Sequence, residues 1–133
     1  MEPRRQFKLS EEDEQFLNDY GQTWETVKEG SKWVLIEDFQ TYPGYNHQSV
    51  TCAIRIESGY PVAALDMVYF YPPLARIDGK PIARTEAKQS LDGKQFQRWS
   101  RHRTGQNPWK PGEDSLESHV QLIEDWLERE FEK

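Results

Sequence analysis

Within six residues, Arg98-Trp99-Ser100-Arg101-His102-Arg103, the chain sets three arginines, a hydroxyl, an imidazole and an indole side by side, and Trp109-Lys110-Pro111 follows shortly after. The chemistry open to such a set is acyl transfer. A serine hydroxyl is almost wholly protonated near neutral pH, so it acts as a nucleophile only with a base at hand. On extended backbone, residues two apart project to the same face, which makes His102 the candidate base for Ser100. Arg98, Arg101 and Arg103 are suited to steady charge developing on a carbonyl oxygen, or to dock an acidic partner surface. Trp99 would supply an apolar wall. Two plainer readings stand beside these: Ser100 as a loop serine making a turn or cap hydrogen bond, and His102 simply stacking on Trp99.

The other reactive side chains are weaker candidates. Cys52 is the only thiol. It should share a strand face with Val50 and Ile54, and a thiol buried among apolar groups is inert. His47 falls in a loop, and His119 is placed on the final helix, displaced from the Val120/Ile123 stripe, as a residue at the boundary of the core. Three dispersed histidines show no metal-ligand spacing, so neither metal nor bound cofactor is expected. Asp66 interrupts an apolar run and either faces solvent or pairs with a base.

The balance of charge narrows the function further. The 133 residues carry 23 acidic and 17 basic side chains, a net charge of −6, which disfavours general nucleic-acid binding because that rests on neutralising phosphates. The acid concentrates in Glu11–Glu14 and Glu113–Glu132, leaving a relatively basic middle. A nucleic-acid reading would use Lys94, Arg98, Arg101, Arg103 and Lys110, with Phe96 and Trp99 interleaved for base stacking. Hydrophobic residues are only 35%, yet aromatics reach 13%, which indicates a folded domain with a solvated surface and not a disordered chain. One cysteine excludes an internal disulfide. The first six residues hold no apolar run, and no stretch is long and apolar enough to cross a bilayer, so a cytoplasmic protein without a membrane partner is expected.

These side chains need a scaffold. Residues 1–9 read as a short flexible arm. Ser10 and Asp13, with Phe16, Leu17 and Tyr20 on one side and Gly21 behind, predict a capped helix. Residues 22–40 predict a strand pair turning at Gly30-Ser31. Ser49–Ile56 alternates strictly and predicts a strand. Gly59-Tyr60-Pro61 breaks it, and Val62–Phe70 predicts a fourth strand ended by Tyr71-Pro72-Pro73. From Leu74 to Gly112 the pattern fades into a long irregular segment, in which Asp92-Gly93 is a turn signal. Asp114 and Glu117 predict a capping box, and Leu116, Val120, Ile123 and Leu127 predict an amphipathic final helix. Strands followed by a helix, without alternation, indicate a single α+β domain over residues 1–133.

That order resembles the ubiquitin-conjugating (UBC-like) fold: an N-terminal helix, a four-stranded antiparallel meander, an irregular active-site segment and a packing helix. Gly59-Tyr60-Pro61 stands where the family carries a Tyr-Pro element. Tyr71-Pro72-Pro73 stands in place of His-Pro-Asn, and Trp109-Lys110-Pro111 in place of Trp-x-Pro. The segment Trp99–His102 with Trp109–Gly112 is similar to that of a bacterial branch, the prokaryotic ubiquitin-conjugating-like family E, over roughly residues 20–131. The resemblance implies a protein that receives a ubiquitin-like tail from a ThiF-type activating enzyme, in company with a JAB-type peptidase, and passes it to a target. It also implies that Trp109 and Pro111 support the site, with Tyr71 near it. Two departures are visible. Ser100 stands about where the family has its thioester cysteine, nine residues before Trp109, and the oxyanion-stabilising asparagine is missing after Tyr71. The chain is then either a conjugating enzyme working through an oxyester on Ser100, or a UBC-like binding module that has lost its nucleophile.

Overall fold

A computed structural model describes residues 2–133. The chain runs α1 (Glu11–Tyr20), β1 (Trp24–Glu29), β2 (Ser31–Gln40), β3 (Ser49–Ile56), β4 (Val68–Tyr71), β5 (Lys88–Leu91), β6 (Lys94–Trp99) and α2 (Leu116–Arg129), closed by a 3-10 turn at Glu130–Glu132. The architecture is α+β, as the element order predicts. All the strands pair antiparallel in one sheet of order β1-β2-β3-β4-β6-β5.

The first helix forms where its cap is written. Ser10 is extended, and its hydroxyl accepts the Asp13 N–H at 3.1 Å. Four acidic residues in the first turn complement the helix dipole, and Gly21 ends the helix in the left-handed conformation at φ 91°. In α2, Leu116, Val120, Ile123 and Leu127 are fully buried along one face. Its start differs from the expectation. Ser115 is the N-cap, and its N–H donates to Ser118 Oγ at 3.0 Å, while Asp114 instead accepts the Lys110 N–H at 2.7 Å.

The sheet buries both faces. One face packs Val34, Ile36, Cys52, Ile54, Phe70 and Trp99 against the two helices. A bulge between Ile36 and Phe39, with Asp38 at φ 52°, returns Phe39 to that same face after the alternation breaks. The other face gathers Val27, Trp33, Leu35, Tyr69, Leu91 and Phe96. No helix covers it. The sheet curls instead, until the β5–β6 turn meets β1. The Asp92 N–H donates to Glu29 Oε1 at 3.1 Å, and Arg4 bridges Glu25 at 2.8 Å and Asp92 at 2.9 Å. Residues 4–9, read from sequence as a flexible arm, therefore lie along β1: Arg5 bridges Thr26 and Leu9 is buried.

Three further expectations are corrected. The meander of four strands is part of a six-stranded sheet. The strand expected over Val62–Phe70 is confined to Val68–Tyr71. Before it, Ala63 N–H returns to Gly59 O at 2.9 Å and Tyr60 N–H to Glu57 O at 3.0 Å, so the backbone closes on itself and offers no ladder; Val62 is 72% exposed. The segment expected to be irregular contains the β5–β6 hairpin. Asp92 and Gly93 both take positive φ, 56° and 74°, the turn form whose twist suits a two-residue hairpin.

The C-terminal turn is fastened to the β2–β3 loop. The Tyr45 hydroxyl donates to Leu127 O at 2.7 Å, and Phe131 covers Gly44, where an added Cβ would lie 2.7 Å from the ring. Gly44 also sits at φ 110°. We expect Gly44→Ala to cost about 1–3 kcal/mol in chemical denaturation. Phe131→Ala in the same chain should relieve part of that loss, so the two effects should fall short of additive.

His119 departs furthest from its expected boundary position. It is fully buried, its Nε2–H donates to Met67 O at 2.9 Å, and burial lowers its pKa from 6.5 to about 4. The unfolded chain binds that proton near pH 6.5 and the folded chain only near pH 4. Stability from this group is therefore lost as pH falls through that window, by about 3 kcal/mol in all. His119→Gln keeps a donor toward Met67 and should remove that component from the pH dependence of urea unfolding; an unchanged slope would contradict the assignment.

Candidate functional site

The segment that carries Ser100 is held from both sides. Past the end of β6, the Ser100 N–H donates to Arg84 O at 3.0 Å, and Arg101 O accepts the Met67 N–H at 3.0 Å. Met67 is itself a left-handed residue at φ 58°, uncommon for a side chain other than glycine or asparagine. Its carbonyl is the acceptor of buried His119.

Trp99 is not the wall of an open site. It is fully buried, edge-on to Phe70 at 5.4 Å, and its Nε1–H donates to Gln97 Oε1 at 2.9 Å. Pairing of Val68 with Trp99 and of Tyr69 with Arg98 locks this end of β6 against β4. Because Phe96 and Trp99 are both interior, neither offers a stacking platform to a base.

From Ser100 onward the side chains diverge. Arg101 turns inward over the Trp99 ring, 4.9 Å from its centroid. It donates to Ala83 O at 3.0 Å and Ser100 O at 3.2 Å, and reaches Glu130 Oε1 at 3.5 Å. Burial lowers its pKa, and the buried Glu130 carboxylate opposes that shift. Glu130 is shared with Arg76 at 3.8 Å. The guanidinium expected to face a carbonyl or a partner instead ties the segment to the C-terminal turn. Arg103 behaves similarly. It lies 5.2 Å from the Trp109 ring and 3.5 Å from Asp114 Oδ2, with its Nε buried and unpartnered. Arg98 is half-buried, and its Nε is likewise without a partner.

Ser100 and His102 stay outside these pairings and are not hydrogen-bonded to each other. Ser100 is half-buried, and its hydroxyl has no partner among the described residues. His102 is exposed, with its Nδ1 2.8 Å from Asp66 Oδ2. The expected serine–histidine pair is thus replaced by an aspartate–histidine pair beside an unpartnered hydroxyl. Asp66 was visible in the sequence as the polar interruption of an apolar run, facing solvent or pairing with a base, and the base it meets is His102. Glu130 carried no such signal, since its burial depends on two arginines distant in the chain.

Trp109 is fastened to the turn before β4. Its Nε1–H donates to Pro61 O at 3.0 Å, and its ring lies 6.2 Å from Tyr60, so the Trp-x-Pro element is pinned to the Gly59-Tyr60-Pro61 turn. The Tyr60 hydroxyl donates to Asp13 Oδ2 at 2.8 Å and accepts the Leu116 N–H at 2.7 Å. It joins α1 to the start of α2, and burial raises the pKa of Asp13. Pro111 is exposed, in the turn leading into α2. Tyr71 packs on Phe96 at 5.6 Å, on the sheet face away from the helices. Cys52 is fully buried and its thiol pKa is pushed up by burial, in keeping with an inert core group. His47 remains in the β2–β3 loop. Among the described residues no three histidine, cysteine, aspartate or glutamate side chains cluster to hold a metal, and no helix is long and apolar enough to cross a membrane.

A groove of about 1350 Å³ is lined by residues other than Ser100 and His102. Phe7, Leu9, Asp13, Arg55, Tyr60 and Glu117 are among its lining residues.

Comparison with known proteins completes the picture. The model of prokaryotic E2 family E matches residues 9–130. The chain belongs to this family. No curated protein and no solved structure matches it. Membership ties the chain to ubiquitin-like conjugation in general, with a ubiquitin-like protein and an activating enzyme as the implied partners. The curled antiparallel sheet with its C-terminal helix is compatible with an E2-like fold.

The inward set of Arg101 yields a direct prediction. Arg101→Glu places like charges together in a buried site and should destabilise the protein by about 3 kcal/mol or more in urea unfolding. Lys88→Glu, on an exposed position of β5, should be within about 0.5 kcal/mol of wild type.

Proposed function

We propose that this member of the family accepts the C-terminus of a ubiquitin-like protein from a ThiF-type activating enzyme as an oxyester on Ser100, and transfers it to a target amine. In loading, Ser100 Oγ attacks the activated carboxyl carbon. A C–O bond forms, the bond to the activating enzyme's leaving group breaks, and the hydroxyl proton passes to a base. His102 is the base assigned to this step. An oxyester is less activated toward amines than a thioester, so transfer leans on positioning. One observation carries this reading: a family member whose only thiol is buried presents an unpartnered hydroxyl at Ser100, on backbone fixed at Arg84 and Met67. A JAB-type peptidase would remove the product.

A second reading has its own support. Ser100 makes no hydrogen bond to His102, and the groove of about 1350 Å³ is lined by other residues. A non-catalytic module that holds a ubiquitin-like protein or its activating enzyme would need neither the hydroxyl nor a base.

The two readings separate on incubation with the activating enzyme, the ubiquitin-like protein and ATP, followed by intact-mass analysis. The conjugating reading expects an adduct that hydroxylamine cleaves and dithiothreitol does not. Ser100→Ala should abolish it, and Ser100→Cys should convert it to a thiol-labile form. Tight binding that survives Ser100→Ala, with no adduct at any residue, is the outcome expected of a binding module.

A further inference from the structure

From the geometry around Met67 we infer that Asp66 is a positioning residue for His102, holding the imidazole with its second nitrogen free to take a proton from the attacking amine; this rests on the function proposed above. Four observations support it. The Asp66 carboxylate lies 2.8 Å from His102 Nδ1. In the neutral ring an Nδ1–H donated to that carboxylate leaves the lone pair on Nε2. The His102 side chain is 58% exposed and its Nε2 has no partner among the described residues, so that lone pair faces solvent and not the core.

The remaining two concern how the pair is held. The segments that carry it, just before β4 and just after β6, are clamped: the Met67 N–H donates to Arg101 O, and Met67 O accepts from the buried His119 ring. Both partners therefore sit one residue from a fixed hydrogen bond. Lastly, the left-handed conformation of Met67, φ 58°, is a costly local geometry that persists only when its surroundings impose it. Arg101, between Ser100 and His102, is held inward by Glu130. Its two neighbours, half-buried Ser100 and exposed His102, take no part in that ion pair.

The step balances without a further reagent. The target amine attacks the ester carbonyl of acylated Ser100. A C–N bond forms, and the amine proton passes to His102 Nε2. As the C–O bond to Ser100 breaks, that proton passes on to the departing Oγ. The products are an amide and the free serine hydroxyl. Asp66 touches neither reacting atom. It fixes the tautomer and balances the transient imidazolium.

The test uses the full chain, loaded with the ubiquitin-like protein and then challenged with free lysine. Asp66→Asn should slow single-turnover discharge at least about tenfold, with the loaded species still detectable. Asp66→Glu should recover part of the rate. Asp66→Asn should add nothing in a His102→Ala background. Nitrogen-15 NMR of the His102 ring should show the Nδ1–H tautomer in the unloaded wild type and a redistribution in Asp66→Asn. If the wild type forms no adduct, the function and this inference fall together. If it does, undiminished discharge in Asp66→Asn, or a ring spectrum indifferent to that change, overturns the inference alone.

Discussion

The antiparallel pairing of β4 with β6 is the constraint on which the rest of the structure depends. It does two things at once. It carries the β5–β6 hairpin far enough round for Asp92 to meet Glu29 and Arg4, which encloses the second sheet face. It also continues past Trp99 into the contacts of Ser100 and Arg101 with Arg84 and Met67. Trp99 is the wedge at the end of that pairing. A fully buried indole with its N–H satisfied by Gln97 is bulky enough that the strand cannot slip by one residue without expelling it, since such a slip exchanges the two faces. Register at Trp99 therefore sets the faces of Arg98 and Trp99 and the point at which the chain enters Ser100.

Charge follows the same logic. The middle of the chain is relatively basic in sequence, and its more buried arginines, like Arg4 of the N-terminal segment, meet carboxylates in space. Arg4 meets Glu25 and Asp92, Arg76 meets Asp78 and Glu130, Arg101 meets Glu130, and Arg103 meets Asp114. Several of these pairs join segments far apart in sequence. Most of the terminal acid remains solvent-facing, while Glu130 is drawn inside to serve two arginines. A buried pair of this kind adds little net stability over an apolar substitute, yet losing one member is costly. Its value here is geometric, because it decides which of three consecutive side chains turns inward.

The parts legible from sequence were those governed by local periodicity and capping. Ser10 with Asp13, the alternation of Ser49–Ile56 and the stripe of α2 each act within a few residues, and each forms where it was read. What could not be read depends on distant partners. The β5–β6 hairpin is polar on its outer side and contributes only Leu91 and Phe96 to the face enclosed by the curled sheet, so its strands carry little periodic signal. Val62–Phe70 is apolar enough for a strand, but the turn at Gly59–Ala63 satisfies its own backbone and Leu65 enters the helix-side core from outside the sheet. At the site, proximity in sequence suggested that Ser100 and His102 would bond to each other. The imidazole goes instead to Asp66, 36 positions earlier, a partner that only the β4–β6 pairing could supply.

That substitution of partners bears on what a hydroxyl in a cysteine's place would require. A thiol is acidic enough to supply a useful fraction of its anion near neutral pH, whereas a serine hydroxyl does not and must surrender its proton during attack. The ester it forms also holds its acyl group more firmly, so the burden shifts from leaving-group chemistry to proton transfer and orientation. An imidazole committed to Ser100 alone would be placed for loading and badly placed for an incoming amine. One held by Asp66 at the rim of the segment, with its far nitrogen open, can serve a nucleophile arriving from outside. The backbone bonds at Arg84 and Met67, and the inward pull on Arg101, then fix the course of the segment, while the exposed imidazole stays tied to Asp66 and apart from the Ser100 hydroxyl.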